Sequence, residues 1–138
     1  MLTRSSKPAL DLFVEQLLHE RLEPRVAHAL EALGPAAEGV QPVFITIDPE
    51  RDTTKLLKGY VENFGPTFIG LTGTSQQIAD AARAYRVYYQ KVPGKDGGPY
   101  LMDHSSIVYL LDRNGRFVTH FTHEAKAEAI AASVGRLL

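Results

Sequence analysis

The chain has 138 residues, 44% of them hydrophobic and 22% charged, with a net charge of −1 and no cysteine. That composition gives one ordered domain with a single core, and it excludes a basic field for nucleic acid or anionic lipid. With no thiol there are no disulfides, no thiolate nucleophile, no CxxC redox pair and no thiolate metal ligand. No apolar run approaches the roughly 18 residues of a membrane span. No secretory apolar core follows the two basic residues of the first eight, so as written the chain reads as soluble and unexported.

In chain order, Ser6 is a candidate cap with Pro8 in the first helical turn. Leu10, Phe13, Val14, Leu17, Leu18 and Leu22 recur at helical spacing, which predicts a helix from Pro8 to Leu22. Pro24 breaks that helix or begins a second one carrying Val26, Ala29, Leu30 and Leu33, which Gly34-Pro35 stops. Val43–Ile47 lacks clean alternation and reads as a strand covered on both faces. Asp52 or Thr53 then caps a helix bearing Leu56, Leu57, Tyr60, Val61 and Phe64. Phe68–Leu71 is a second short strand, and Thr74-Ser75-Gln76-Gln77 fits a capping box ahead of Ile78, Ala81, Ala82 and Tyr85. This alternation of helix and strand is the mark of an α/β sandwich.

Val87–Val92 reads as a strand, and Pro93–Pro99, with three glycines, as a loop. Asn114-Gly115 lies between the strand-like runs Ser106–Leu111 and Arg116–Phe121 and predicts a hairpin. Glu124–Leu138 closes the chain as a helix. There is no internal repeat and no linker.

His104 is the first candidate for chemistry. It is read as lying where a loop enters a strand, beside Asp103, and a carboxylate next to an imidazole can fix its tautomer and raise its basicity. On local pattern alone a loop histidine is more often a solvated or capping residue. Asp48 stands at the carboxyl end of a parallel strand, where open α/β sheets bind ligands. The segment Asp48–Thr53 also makes sense as a turn and helix cap, with Arg51 pairing a neighbouring acid. Glu15 and His19 lie four apart and would share a face of the predicted first helix, while His120 and His123 flank the last strand. Two ligands alone do not define a transition-metal site. No Ser-His-Asp motif and no phosphate loop is present.

Four motifs in order carry a resemblance: Val43–Thr53 (VFITIDPERDT), Phe68–Thr74, Ala84–Tyr89 and Met102–Ser105, joined by Ile130–Ser133 in the last helix. Together they resemble the Sco/SenC family over roughly Val26 to Leu138. The resemblance implies a thioredoxin-like fold over a single domain, 1–138, of which 1–23 is a divergent N-terminal helix and 24–138 is family-like. It implies copper held by the two cysteines of a CxxxC motif and one histidine. It also implies a role in supplying the CuA centre of cytochrome c oxidase subunit II, in the periplasm or the mitochondrial intermembrane space, tethered to a membrane. His104 matches the copper-ligand histidine, and Asp48 matches an acidic residue near the metal. Counted back from Val26 without gaps, the cysteine positions fall near Glu15 and His19.

The cysteines are absent, and the strand that precedes them in the family is read as absent too. Thiol–disulfide and peroxidase chemistry are then excluded, so the chain is not expected to be an enzyme. Soft Cu(I) loses the ligands that supply most of its binding energy. A central strand missing from the sheet would leave an open edge that invites self-association. The expectation is a copper chaperone impaired in its metal chemistry, from a truncated, frameshifted or wrongly started reading frame. The alternative is a metal-independent, thioredoxin-like interaction module.

Overall fold

A computed structural model of the protein describes residues 10–15, 23–104 and 107–138. Leu10–Glu15 forms a strand, β1, where a helix is expected. The run LDLFVE carries apolar residues at spacings that suit either structure, and a run this short cannot be told apart by periodicity. Partners decide it. β1 pairs parallel with β2 (Val40–Ile45) and antiparallel with β6 (Ile107–Leu111), so it is bonded along both edges. The central strand expected to be missing is therefore in place, and the open edge expected to drive self-association is filled. The rest of the expected helix, 8–9 and 16–22, lies outside the described residues.

Pro24 sits in the first turn of α1 (Glu23–Leu33), where its missing N–H costs nothing. Gly34, at φ +59, ends that helix in the left-handed conformation. α2 (Thr54–Glu62) is capped by Thr53, whose hydroxyl accepts from the Leu56 amide at 3.3 Å. β3 (Ile69–Leu71) lies parallel beside β2. α3 (Ser75–Ala84) starts with the reciprocal Thr74–Gln77 capping box. β4 (Tyr89–Val92) and β5 (Leu101–His104) form a two-stranded antiparallel sheet of their own. β6 and β7 (Phe117–Thr122) are a hairpin, and α4 (Ala127–Gly135) follows.

The main sheet runs β3-β2-β1-β6-β7. On one face Val26 and Ala29 of α1, Leu57 and Val61 of α2, and Ile130 and Val134 of α4 pack over Phe44, Val108, Leu110 and Phe121. The opposite face is smaller: Val43 and Leu111, with Ile45, Leu71 and Tyr109, meet Tyr85 at the end of α3. β2 thus buries both faces, Phe44 toward one and Val43 toward the other, as the lack of clean alternation from Val43 onward implies. Among the described residues no helix is long and apolar enough to cross a membrane.

The β6–β7 turn uses four residues. The Gly115 amide donates to the Asp112 carbonyl at 2.9 Å, Gly115 takes φ +77, and the register shifts between Leu110 and Leu111. A side chain at position 115 would be strained in that conformation. The Asp112 carboxylate accepts from the amides of Arg116 (3.0 Å) and Asn114 (2.8 Å). Those two bonds, Arg116 first, hold the carboxyl below its usual range. A depressed folded-state value stabilises the fold above the unfolded value, near pH 4, and that stability is lost as pH falls through the folded value. Asp112→Ala is therefore expected to melt below the parent at pH 7. Melting curves taken toward pH 2.5 should show the gap between the two closing.

Candidate functional site

The carboxyl end of β2 runs into Thr46, Ile47 and Asp48, all buried. The Thr46 hydroxyl accepts from the Asp48 amide at 2.9 Å and donates to the Asp52 carboxylate, and the Asp52 amide donates to the Asp48 carbonyl at 2.9 Å. Asp52 is thereby used to close the Asp48-Pro49 turn, which leaves the cap of α2 to Thr53. The Asp48 side chain is directed inward, with only 6% of the residue exposed.

Both Asp48 carboxylate oxygens are engaged. Arg51 Nε is ion-paired with Oδ2, and the Tyr100 hydroxyl donates to Oδ1 at 2.8 Å. Arg51 Nη1 also donates to the Tyr100 carbonyl at 2.7 Å, and its guanidinium carbon lies 4.0 Å from the centre of the Tyr100 ring. Lys91 Nζ lies 4.1 Å from that ring and donates to Glu50 at 2.9 Å. One aromatic face system with two cations and a carboxylate is mutually stabilising. The bond to Asp48 raises the pKa of Arg51. Desolvation, followed by the bond to Asp48, pushes the Tyr100 hydroxyl up to about 12.

His104 is the last residue of β5 and pairs with Tyr89, so it ends a strand and does not lie in a loop. Burial alternates along β5, with Leu101 and Asp103 exposed and Met102 and His104 half-buried. Strand alternation therefore places Asp103 on the opposite face from His104, against the pairing that sequence adjacency suggested. It places the Met102 thioether on the same face as His104. Glu15 closes β1 in register with Ile45 of β2, on a strand and not on the helical face expected for it; His19 lies outside the described residues. His120 stacks on Phe117 at 6.4 Å on the edge strand β7, and the His123 carbonyl accepts from Arg25. Among the described residues no group of three or more His, Asp and Glu side chains could hold a metal ion.

The profile of the SCO1/SenC family matches residues 23–138. The chain belongs to the SCO1/SenC family. It is 45% identical over 112 residues to the mitochondrial SCO2 homolog of Bos taurus, covering 81% of this chain and 42% of that protein. It is 47% identical over 98 residues to a SCO2-like protein of Rickettsia conorii, covering 70% of this chain and 48% of that one. The chain thus spans less than half the length of either relative. Among solved structures it superposes on copper-bound ScoI of Arabidopsis thaliana with a TM-score of 0.84 and 32% identity, over 94% of this chain and 84% of that one. Copper-bound ScoI of Bradyrhizobium japonicum gives 0.82 and 39%, over 96% and 87%. The Sco fold is thioredoxin-like, as the motifs implied.

The donors that this Sco domain offers do not match a dithiolate–imidazole set. The chain has no thiol, and Asp48 already accepts from Arg51 and Tyr100. His104 and Met102 share one face of the hairpin. Tyr100, Lys91 and the bridging role of Arg51 toward Tyr100 were not legible in the sequence. Their contacts join residues 41 to 52 positions apart, and no local pattern announces them.

Proposed function

We propose that this chain is a Sco-type protein of cytochrome c oxidase assembly that keeps the domain and its histidine-bearing hairpin but carries copper weakly. Delivery of that cargo to the CuA centre of subunit II is correspondingly impaired. The observation that carries the reading is the donor set: a family fold with His104 at the end of β5 and no cysteine anywhere in 138 residues. Thiolates supply most of the affinity and selectivity for soft Cu(I), whereas an imidazole with a thioether neighbour gives a far weaker site. With no thiol this chain has no group for thiol redox turnover, which supports a non-enzymatic role. The mitochondrial relative supports a location on the intermembrane-space side of a membrane, or its periplasmic equivalent.

The expected result of a Cu(II) titration is weak, saturable binding by the parent chain and little or none by His104→Ala. Identical curves would remove His104 from the site. A second reading is supported by the closed state of Asp48: a metal-independent module that docks on an oxidase subunit or another Sco protein. Capture of subunit II in the presence of a chelator would favour that reading, and dependence of capture on copper would favour the first.

A further inference from the structure

We propose that Tyr100 and Arg51 are positioning residues, which clasp the β4–β5 hairpin, and with it His104, to the carboxyl end of β2 through Asp48. The hairpin needs such a device. Its two strands pair with each other and, among the described residues, with no strand of the five-stranded sheet. The ladder that fixes β1, β2, β3, β6 and β7 therefore does not fix the strand that ends in His104.

The hairpin is tightly packed at its turn. At its closed end Gly94 packs against the backbone of Gly98 and Pro99, where an added Cβ would come within 2.4 Å of the Gly98 oxygen and 2.2 Å of the Pro99 oxygen. Only glycine fits there. Both strands are tied to the same short segment, 48–51. β4 is tied through Lys91 to Glu50. β5 is tied through Tyr100, the residue just before it, whose hydroxyl meets Asp48 and whose carbonyl meets Arg51. The anchor is buried, and the Asp48 backbone is held by hydrogen bonds to Thr46 and Asp52. Bonds to a buried carboxylate are charge-assisted and directional, so they set position as well as attraction. Arg51 and Lys91 beside the Tyr100 ring add no comparable directionality, but they keep the ring covered. What the clasp means for metal chemistry rests on the function proposed above; the clasp itself does not.

The test is amide hydrogen exchange on the full chain without added metal, with NMR of the histidine rings. Tyr100→Phe removes one hydroxyl and keeps the ring. It should speed exchange of the amides within Tyr89–Val92 and Leu101–His104 by roughly tenfold, and leave those of β2, β6 and α4 unchanged. The ring signals of His104 should shift, and those of His120 and His123 should not. Arg51→Lys keeps the charge and loses the fork, and should act in the same direction. The double variant should exceed the larger single change by little, because the residues act as one unit. Unchanged hairpin exchange in both single variants would overturn the proposal. So would a uniform increase across β2, β6 and α4, which would make these contacts ordinary stability. Failure of the parent to bind copper would sink the proposed function and leave the exchange result standing. A null exchange result would leave the copper titration of His104→Ala standing.

Discussion

Glu15→Cys combined with His19→Cys is expected to convert this chain from a weak copper binder into a tight one. Counted back from Val26 without gaps, the resemblance places the family's two thiolates near these positions, and it implies His104 as the third ligand. The position of Glu15 in the fold supports the choice. It is the last residue of β1, level with Ile45 of β2, and Asp48 follows three residues further along that strand's exit. Open α/β sheets present ligand sites at the carboxyl ends of their parallel strands.

Two thiolates change the chemistry of the site. They are soft, they carry charge, and they select Cu(I) over the harder divalent ions that a lone imidazole takes. The double variant should hold Cu(I) several orders of magnitude more tightly than the parent, as read by competition against a chromogenic Cu(I) chelator. Binding should release protons, since each thiol must ionise to act as a ligand. His104→Ala in the double variant should weaken the site without abolishing it. Equal affinities for the double variant and the parent would show that the missing thiolates are not what limits this chain.

The largest loss of stability is expected from Phe44→Ala. Phe44 is fully buried near the carboxyl end of β2 and takes part in the main core cluster with residues from α1, α2 and α4. Its ring lies 5.4 Å from that of Tyr60. Truncation removes a ring's worth of apolar burial and leaves a cavity that three helices cannot all move to fill. The expected cost is about 3–5 kcal/mol, a large share of the roughly 5–15 kcal/mol typical of a whole domain. For a chain of this size that is a fall in Tm of roughly 10–20 °C. Phe117, on the edge strand β7, is the control: it is 58% exposed, and Phe117→Ala should cost about 1 kcal/mol or less. Urea unfolding of the three proteins would compare them directly. A Phe44→Ala protein within about 1 kcal/mol of the parent would contradict the placing of the core.

What could be read from the sequence follows from how local each signal is. The Thr74–Gln77 capping box, the Gly34-Pro35 stop and the Asn114-Gly115 hairpin are each written within a few residues, and each is found where expected. β2 was legible because burial on both faces leaves no clean alternation from Val43 onward. β1 was not, since LDLFVE satisfies a helical repeat as well as a strand, and only pairing with β2 and β6 settles it. β5 was hidden for a different reason. A four-residue strand with Asp103 in it, bonded among the described residues only to β4, has the composition of a loop. At the site, motif and topology led to Asp48 and His104. Tyr100 gave no sign, because its partners Asp48 and Arg51 reach it across about fifty residues of intervening chain.

The place of β1 also bears on how the chain reaches its fold. β1 begins at Leu10, yet one of its two hydrogen-bonded neighbours, β6, starts only at Ile107. During synthesis β1 and β2 can pair early, but the sheet stays open along one edge of β1 until β6 has emerged. Contacts of such long sequence separation slow folding, because the loop must close before the strand pairing rewards it. An unpaired strand edge exposed for that interval is a template for intermolecular pairing. Refolding of this protein should accordingly be limited by docking of the β6–β7 hairpin, and its yield should fall as chain concentration rises.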